Sequence, residues 1–377
     1  MIKICHICPD EKFIDIAINI FSRLHNVSSE FCTVLNYGQP KQIKAKVNNF
    51  KSTGELVDHI NNSGFDYVVM HSLYCMEHKY KLLKIKPKII GISWGYDIYS
   101  DRNDILKMAL GMDLFMPLTR KYTKNSDGLK CGIIRILQKI YSKLLRKQWQ
   151  YDSLLNKISY FSTVLPDEFP EIQKRFQHLK YFPFDYMDPK ARIPFKKNTE
   201  TNQNILVGHC LLPSNNHFDI LDLLERRKIT CNAYIPIAYP NGNYEQFDSE
   251  YYKKKLKEFC SGLKYVKPIF LEGFIDKYEY FKIIDRCSCA IFGQIRQEAT
   301  GNINHLLYTG KKIFMYKDSL NYQYYSKYTK IFTIENDLNS DIFNGVLAKK
   351  YQAQNYNFIH KKEDYQKYID NLNKFFI

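Results

Sequence analysis

Short apolar runs of strand length alternate with stretches of helical apolar spacing, and this alternation passes along the chain twice. In the first pass the strand candidates are Met1–Cys8, Glu30–Asn36, Asp66–His71, Lys88–Trp94, Leu114–Leu118 and Tyr160–Leu165, with helix candidates at Phe13–His25 and Glu55–Ser63. The polar stretch Arg192–Asn204, which contains Pro194, interrupts it. The second pass offers strands at Ile205–Gly208, Cys231–Ile237, Pro268–Leu271, Cys289–Phe292 and Lys312–Tyr316. Helices are expected between them at His217–Arg227, Ser249–Cys260, Lys277–Arg286 and Asn302–Tyr308. A strand followed by a helix of this length returns to its own sheet as a parallel neighbour, so the pattern predicts an α/β chain of two mostly parallel sheets. At 377 residues there is enough chain for two cores. The expected division is a Rossmann-like domain over 1–195, a second over 196–340 and a helix-prone tail over 341–377 that packs back on the N-terminal domain through Asp364–Phe376, with a cleft between the two Rossmann-like halves. Ligands in such sheets bind beyond the carboxyl ends of the strands.

That rule directs attention to the segments that leave each strand. After Cys289–Phe292 the chain reads Gly293-Gln-Ile-Arg-Gln-Glu-Ala-Thr-Gly-Asn302 and enters a helix candidate. Arg296 beside a helix start near Gly301 and Asn302 makes an anion site, since free amides and the helix dipole both favour negative charge. A surface loop with an ordinary salt bridge is the plain alternative. After Ile205–Val207 come Gly208, which lets a ligand approach the backbone, and Ser214, Asn215 and His217. Ser214 or Asn215 is placed to cap the following helix. The strand Cys231–Ile237, with Pro236 near its end, leads into a turn-rich loop where Tyr239 can stack on a ring and Asn243 can bond hydroxyls. In the first half, Ser93-Trp-Gly-Tyr-Asp97 follows a strand. Asp97 can serve as a base or orienter for an acceptor hydroxyl, or simply cap a helix. His71 ends a buried strand and is either a second such group or a core histidine.

Composition narrows the partners. Lys and Arg number 55 against 39 Asp and Glu, a formal charge of +16. That surplus suits a polyanion: nucleic acid, anionic lipid or a phosphorylated substrate. Ten cysteines are scattered through apolar context, as expected of buried free thiols in a reducing compartment. Cys5 and Cys8 have CxxC spacing, but no second pair with metal-ligand spacing accompanies them, and no metal site or DxD-type motif is expected. Neither GxGxxG nor GxxxxGK[ST] occurs, which argues against a nicotinamide dehydrogenase or a P-loop enzyme. No secretory signal and no membrane-spanning run is apparent.

Taken in order, these motifs resemble a known family. They are Trp94-Gly95-x-Asp97-x-Tyr99, Tyr181-Phe-Pro183 with Met187-Asp-Pro189, Ile205-Leu-Val-Gly208 with Ser214-Asn-x-His217, Pro236-x-x-Tyr239-Pro240, and Arg296-Gln297 with Gly301. The resemblance spans roughly residues 60–335 and is to the bacterial TDP-Fuc4NAc:lipid-linked-oligosaccharide Fuc4NAc transferases, also labelled 4-alpha-L-fucosyltransferases. It implies a GT-B glycosyltransferase that needs no metal or other cofactor. The C-terminal domain would hold a TDP-sugar through Gly208, Ser214, Asn215, His217, Pro236, Tyr239, Asn243, Arg296, Gln297, Glu298, Gly301 and Asn302. The N-terminal domain would hold a lipid-linked oligosaccharide acceptor, with Asp97 and His71 as the candidate catalytic groups. The family tends to be richer in glycine where this chain has Glu298 and Asn302, and the first sixty residues match poorly.

A lipid-linked acceptor gives the segment Lys130–Trp149 a meaning. Ile133, Leu137, Ile140 and Leu144 recur at helical spacing, while Lys130, Arg135, Lys139, Lys143, Arg146 and Lys147 supply charge and Trp149 closes the run. A basic amphipathic helix of this kind suits an anionic membrane surface, here the cytoplasmic face of a bacterial inner membrane, as a peripheral attachment. Packing on its own domain with a solvated basic face is the alternative. Two further readings remain open: a GT-B transferase using another sugar nucleotide, and a basic nucleic-acid binder. The chain lacks an RNP aromatic pair or a GXXG loop, so no nucleic acid partner is expected.

Overall fold

The computed structural model describes residues 1–35, 38–73, 79–99, 114–123, 147–187, 198, 201–238, 248–362 and 364–377. Its contacts divide the chain into two compact units. Unit 1 comprises Met1–Gly111, Leu129–Arg192 and Glu363–Ile377; unit 2 comprises Met112–Gly128 and Ile193–Lys362.

Unit 1 is built on seven strands: β1 (Ile2–Cys8), β2 (Val27–Val34), β3 (Asn48–Phe50), β4 (Tyr67–His71), β5 (Lys88–Ile92), β6 (Ile158–Ser162) and β7 (Lys180–Tyr181). Their order across the sheet is β3-β2-β1-β4-β5-β6-β7, and every pairing is parallel. β1 is buried along its last five residues, which is why it reads as a continuous apolar run rather than an alternation. The helix Phe13–Phe21 covers one face through Ile14, Ala17, Ile20 and Phe21. Thr53–Asn62 is helical because Ser52 accepts the Glu55 amide at 3.2 Å while Glu55 accepts the Lys51 amide at 3.2 Å. The last helix, Tyr365–Phe375, is capped by Asp364 and joins the core with Phe21, Phe182 and Phe184 through Ile369, Leu372 and, just past its end, Phe376.

Unit 2 repeats the plan with β8 (Asn204–Val207), β9 (Cys231–Pro236), β10 (Val266–Leu271), β11 (Cys289–Phe292), β12 (Lys312–Met315) and β13 (Phe332–Thr333). The order is β10-β9-β8-β11-β12-β13, again all parallel. In each sheet the chain builds outward from the first strand, then returns to its other side. The reversal points lie between β1 and β4 and between β8 and β11, where the crevices of doubly wound sheets form.

Several local expectations change. Leu114–Leu118 is not a strand: Pro117–Thr123 is a helix, and its first amides, those of Leu118 and Thr119, donate to Asp219 at 2.9 and 2.8 Å. Tyr122 stacks on Phe218 with centroids 4.2 Å apart, so this stretch packs with unit 2, although it precedes the boundary expected at 195. The tail is shared: the helix Lys349–Lys362 goes with unit 2, and only Glu363–Ile377 goes with unit 1. The short strands β3, β7 and β13, of two or three residues each, were too brief to give a periodic signal. Eight described cysteines, Cys5 and Cys8 among them, are free and buried.

Leu372 is fully buried in the unit 1 core. Leu372→Ala is expected to lower the stability of unit 1 by about 2–5 kcal/mol, read as a lower urea midpoint; an unchanged midpoint would remove the last helix from that core.

Candidate functional site

The loops leaving β8 and β11 come together at the reversal point of unit 2. Gly208 has φ +69°, and a Cβ there would lie 2.8 Å from Asn215 Oδ1 and 2.9 Å from His217 Nε2. Gly293 is closer still, since its Cβ would meet the Asn215 carbonyl oxygen at 2.5 Å. Both loops therefore require glycine at the crossing. Asn215 Oδ1 accepts the His209 amide at 2.9 Å and Gln294 Nε2 at 2.6 Å. Asn216 Nδ2 donates to the Gly293 carbonyl at 2.7 Å, and its Oδ1 accepts the Met116 amide at 2.8 Å.

The expected cap at Ser214 or Asn215 is corrected here. Pro213–Asn215 is a turn of 3₁₀ helix, and the residue before the helix His217–Arg226 is Asn216, with φ 51° and no capping bond from its side chain. Asn215 is not available as a cap because its carboxamide ties the two loops.

Arg296, Gln297 and Glu298 are all buried, at 5–6% exposure. Arg296 Nη2 lies 2.5 Å from Glu298 Oε1, and His209 Nε2 lies 3.8 Å from Glu298 Oε2. The Glu298 carbonyl accepts Asn321 Nδ2 at 2.8 Å, and the Leu320 amide donates to the Ile295 carbonyl at 2.9 Å, so the segment after β12 supports this loop from behind. The helix Thr300–Tyr308 begins after Ala299, itself at φ 59°. Gly301 is exposed, with nothing within 4 Å of the space a side chain would occupy, while Asn302 donates to the Tyr280 hydroxyl at 3.0 Å.

Burial opposes charge on His209, yet the Cys210 sulfur, the Glu298 carboxylate and the Asn215 acceptor raise its pKa to about 9. His217 goes the other way, down to about 3, through burial and then the charge of His209. Among the described residues, the buried atoms Ser214 Oγ, His217 Nε2, Gln294 Oε1, Gln297 Oε1 and Asn321 Oδ1 have no hydrogen-bond partner. Buried groups of this kind call for a ligand or water. Two cations, one carboxylate and an open helix N-terminus leave the loop pair net positive, which suits a dianionic or polyanionic group. Pro236 ends β9 and is buried; Tyr239 and Asn243 lie outside the described residues. His209, Asn216, Gln294 and Asn321 were missed by motif reading; His209 and Gln294 are polar side chains just after β8 and β11, and Asn216 and Asn321 carry no local signal.

In unit 1, Asp97 is fully buried. It accepts the Leu73 amide at 2.9 Å, Ser93 Oγ at 2.7 Å and the Trp94 amide at 3.0 Å. Burial raises its pKa against these donors and Ser72. This carboxylate organises the ends of β4 and β5. His71, also fully buried, bridges His6 and the Tyr186 hydroxyl at 3.0 and 2.6 Å, and burial pulls its pKa to about 3. Of the basic segment, Lys130, Arg135, Lys139, Lys143 and Arg146 lie outside the described residues. The backbone is helical from Lys147 to Lys157, but the side chains of Lys147 and Trp149 are also outside. Among the described residues no helix is long and apolar enough to cross a membrane, and no group of three or more His, Cys, Asp or Glu is placed to hold a metal ion.

A family model described as 4-alpha-L-fucosyltransferase, glycosyl transferase group 56, matches residues 128–373. Among solved structures, HepE of Anabaena in complex with UDP and glucose is similar at TM-score 0.59 and 11% identity, over 100% of this chain and 99% of that one. The apo lipopolysaccharide outer core galactosyltransferase WaaB gives 0.55 and 10%, over 100% of both chains. Sucrose-phosphate synthase from Thermosynechococcus elongatus gives 0.57 and 8%, over 100% of this chain and 98% of that one. These likenesses give the fold as GT-B. A search of curated proteins finds no significant match.

His217 and His209 give unit 2 opposite pH limits. The unfolded chain takes up a proton below about pH 6.5 that folded His217 refuses, so stability falls by about 1.4 kcal/mol per pH unit from there towards pH 3. His209 contributes fully below pH 6.5, and that contribution is lost as pH rises through 9. Chemical denaturation across pH should show His217→Gln flattening the acid limb and His209→Gln the alkaline limb. Parallel curves for wild type and His217→Gln between pH 6.5 and 5 would show that His217 is not held neutral.

Proposed function

The chain belongs to the glycosyl transferase group 56 family of 4-alpha-L-fucosyltransferases, and on that footing we propose that unit 2 binds a TDP-linked 4-acetamido-4,6-dideoxyhexose, Fuc4NAc, for transfer to a polyprenyl-diphosphate-linked oligosaccharide held by unit 1. Sugar transfer by a GT-B enzyme follows from the family and the fold; the donor, the acceptor and the roles of the residues are our reading.

The observation that carries it is the loop pair at the β8/β11 reversal point, where Arg296 and His209 flank a set of buried, unsatisfied polar atoms. Breaking the bond between sugar and diphosphate leaves negative charge on the departing phosphate. Arg296, the first amides of the helix Thr300–Tyr308 and protonated His209 would meet that charge, work a divalent metal does in other transferases. Gly208 lets Asn215 and His217 close in on the backbone, and Ser214, His217, Gln294 and Gln297 offer unused polar atoms to phosphate, ribose or sugar hydroxyls. HepE, of like fold, carries UDP and glucose, which supports a nucleotide-sugar site here. The Glu298 carboxylate occupies Arg296 until the donor arrives and is then placed to turn towards His209 or the sugar.

The acceptor's lipid favours a peripheral enzyme on the cytoplasmic face of a bacterial inner membrane. The basic segment Lys130–Trp149 would supply the attachment, each Lys or Arg near an anionic leaflet contributing roughly 1 kcal/mol.

Thermal-shift measurements with TDP, UDP, GDP and CMP should give the largest rise in Tm with TDP; selective stabilisation by UDP would overturn the donor assignment. Arg296→Gln should lower kcat/KM by about 10²–10³ while the circular dichroism spectrum is retained, and full activity would remove Arg296 from the diphosphate site. Anionic liposomes should retain the protein at low salt and release the Lys139→Glu, Lys143→Glu variant; equal retention would exclude the basic segment as the attachment.

A further inference from the structure

Among the described residues three carboxylates are buried: Asp97, Glu168 and Glu298. Two of them are tied down by donors that belong to the fold. Asp97 accepts the Leu73 amide at 2.9 Å, the Trp94 amide at 3.0 Å and the Ser93 hydroxyl at 2.7 Å. Glu168 accepts the Leu165 amide at 2.8 Å and the Tyr99 hydroxyl. Glu298 is held differently. Arg296 Nη2 stands 2.5 Å from one of its oxygens and His209 Nε2 3.8 Å from the other, yet neither oxygen has a partner in hydrogen-bonding alignment. The backbone beside it is fixed, since the Glu298 carbonyl accepts Asn321 Nδ2 at 2.8 Å. The side chain is therefore the part that can move. A buried carboxylate held by charge, without directional donors, can be exchanged for another anion.

The charge of the ligand changes as a sugar is transferred. In a sugar nucleotide the terminal phosphate is bonded through one oxygen to the sugar and carries one negative charge. When the bond from that oxygen to the anomeric carbon breaks, the oxygen keeps the electron pair. The anomeric carbon bonds to the acceptor oxygen, whose proton is released. The terminal phosphate of the free nucleoside diphosphate then carries between one and two negative charges at neutral pH, since its second pKa lies near ~6. Two cations alone would therefore hold the product more tightly than the donor. With Glu298 between them, Arg296 and protonated His209 leave one net positive charge instead of two. Each negative charge added to the ligand is then attracted less, because the carboxylate repels it.

We propose that Glu298 is the residue by which the donor site distinguishes a sugar nucleotide from the free nucleoside diphosphate: it fills the cation pair when the site is empty and repels the charge that the ligand gains when the sugar leaves. The proposal rests on the reading that the β8/β11 loop pair takes the donor's diphosphate. The same repulsion disfavours inorganic pyrophosphate, which is more highly charged still.

Isothermal titration calorimetry with TDP, pyrophosphate and thymidine tests it. Glu298→Gln should bind TDP about tenfold more tightly than wild type and pyrophosphate by a larger factor still, while thymidine, which carries no charge, binds both proteins alike. Glu298→Ala should tighten the two anions in the same way, and Glu298→Asp, which keeps the charge, should not. Removing one partner of a buried ion pair weakens a fold, so each variant is titrated at a temperature where its circular dichroism spectrum matches that of wild type. In transfer assays TDP should become a stronger inhibitor of the Glu298→Gln enzyme, with the KM for the donor falling by a smaller factor. Equal or weaker TDP binding by both uncharged variants, with TDP still raising the wild-type Tm, would overturn the proposal and leave the donor reading standing. Thymidine tightened as much as TDP would show that space rather than charge had changed, and would also overturn it. Failure of every one of these proteins to bind TDP or pyrophosphate would overturn the proposal and the donor reading together.

Discussion

Two loops that leave neighbouring strands for opposite sides of a sheet have no covalent reason to stay together, and in unit 2 a pair of adjacent asparagines makes them do so. Asn215 Oδ1 gathers the His209 amide and the Gln294 side chain, and Asn216 Nδ2 reaches the Gly293 carbonyl. Glycines at 208 and 293 are what allow the approach. Without this tie, the β11 loop that carries Arg296 and Glu298 would be free to move relative to the β8 loop that carries His209. The tie also reaches outward: Asn216 Oδ1 and Asp219 hold Met116, Leu118 and Thr119, which stitches a segment from early in the chain onto unit 2.

Unit 1 solves the corresponding problem at its own reversal point with imidazoles. His6 on β1 and His71 on β4 bond across the two strands where the direction of building reverses, and the line continues through Tyr186 to Trp94. Both units therefore place buried polar residues beside the reversal, the position that parallel α/β architecture leaves open for ligands. The difference lies in charge. Unit 2 presents cations and unpartnered polar atoms, suited to a phosphorylated ligand, whereas the line in unit 1 runs through two imidazoles that burial keeps neutral.

The alternation of strands and helices could be read because the helices are long enough to express a period, as Ser249–Cys260 is, and the buried strands between them are unbroken apolar runs, as Cys289–Phe292 is. Gly208 and Arg296 could be singled out as well, since glycine after a strand and a cation before a helix are local signals. What stayed hidden depends on contacts between residues far apart. Tyr186 meets His71 across 115 positions, and Asn216 meets Met116 across 100. The cap at Asn216 was misplaced because it adopts a left-handed backbone that a sequence does not announce, and Asn215, the expected cap, is occupied elsewhere. Asp97 was legible as a special residue, but its complete burial among backbone and hydroxyl donors belongs to the fold.

The central claim is that the diphosphate of the donor sits at the β8/β11 reversal point. Amide hydrogen exchange with and without TDP tests it directly. The account predicts added protection concentrated in residues 208–217 and 294–303, where the two loops and the two helix N-termini lie. Saturating TDP that leaves those segments unchanged, or that protects the ends of the unit 1 strands around residues 92–99 instead, would contradict it.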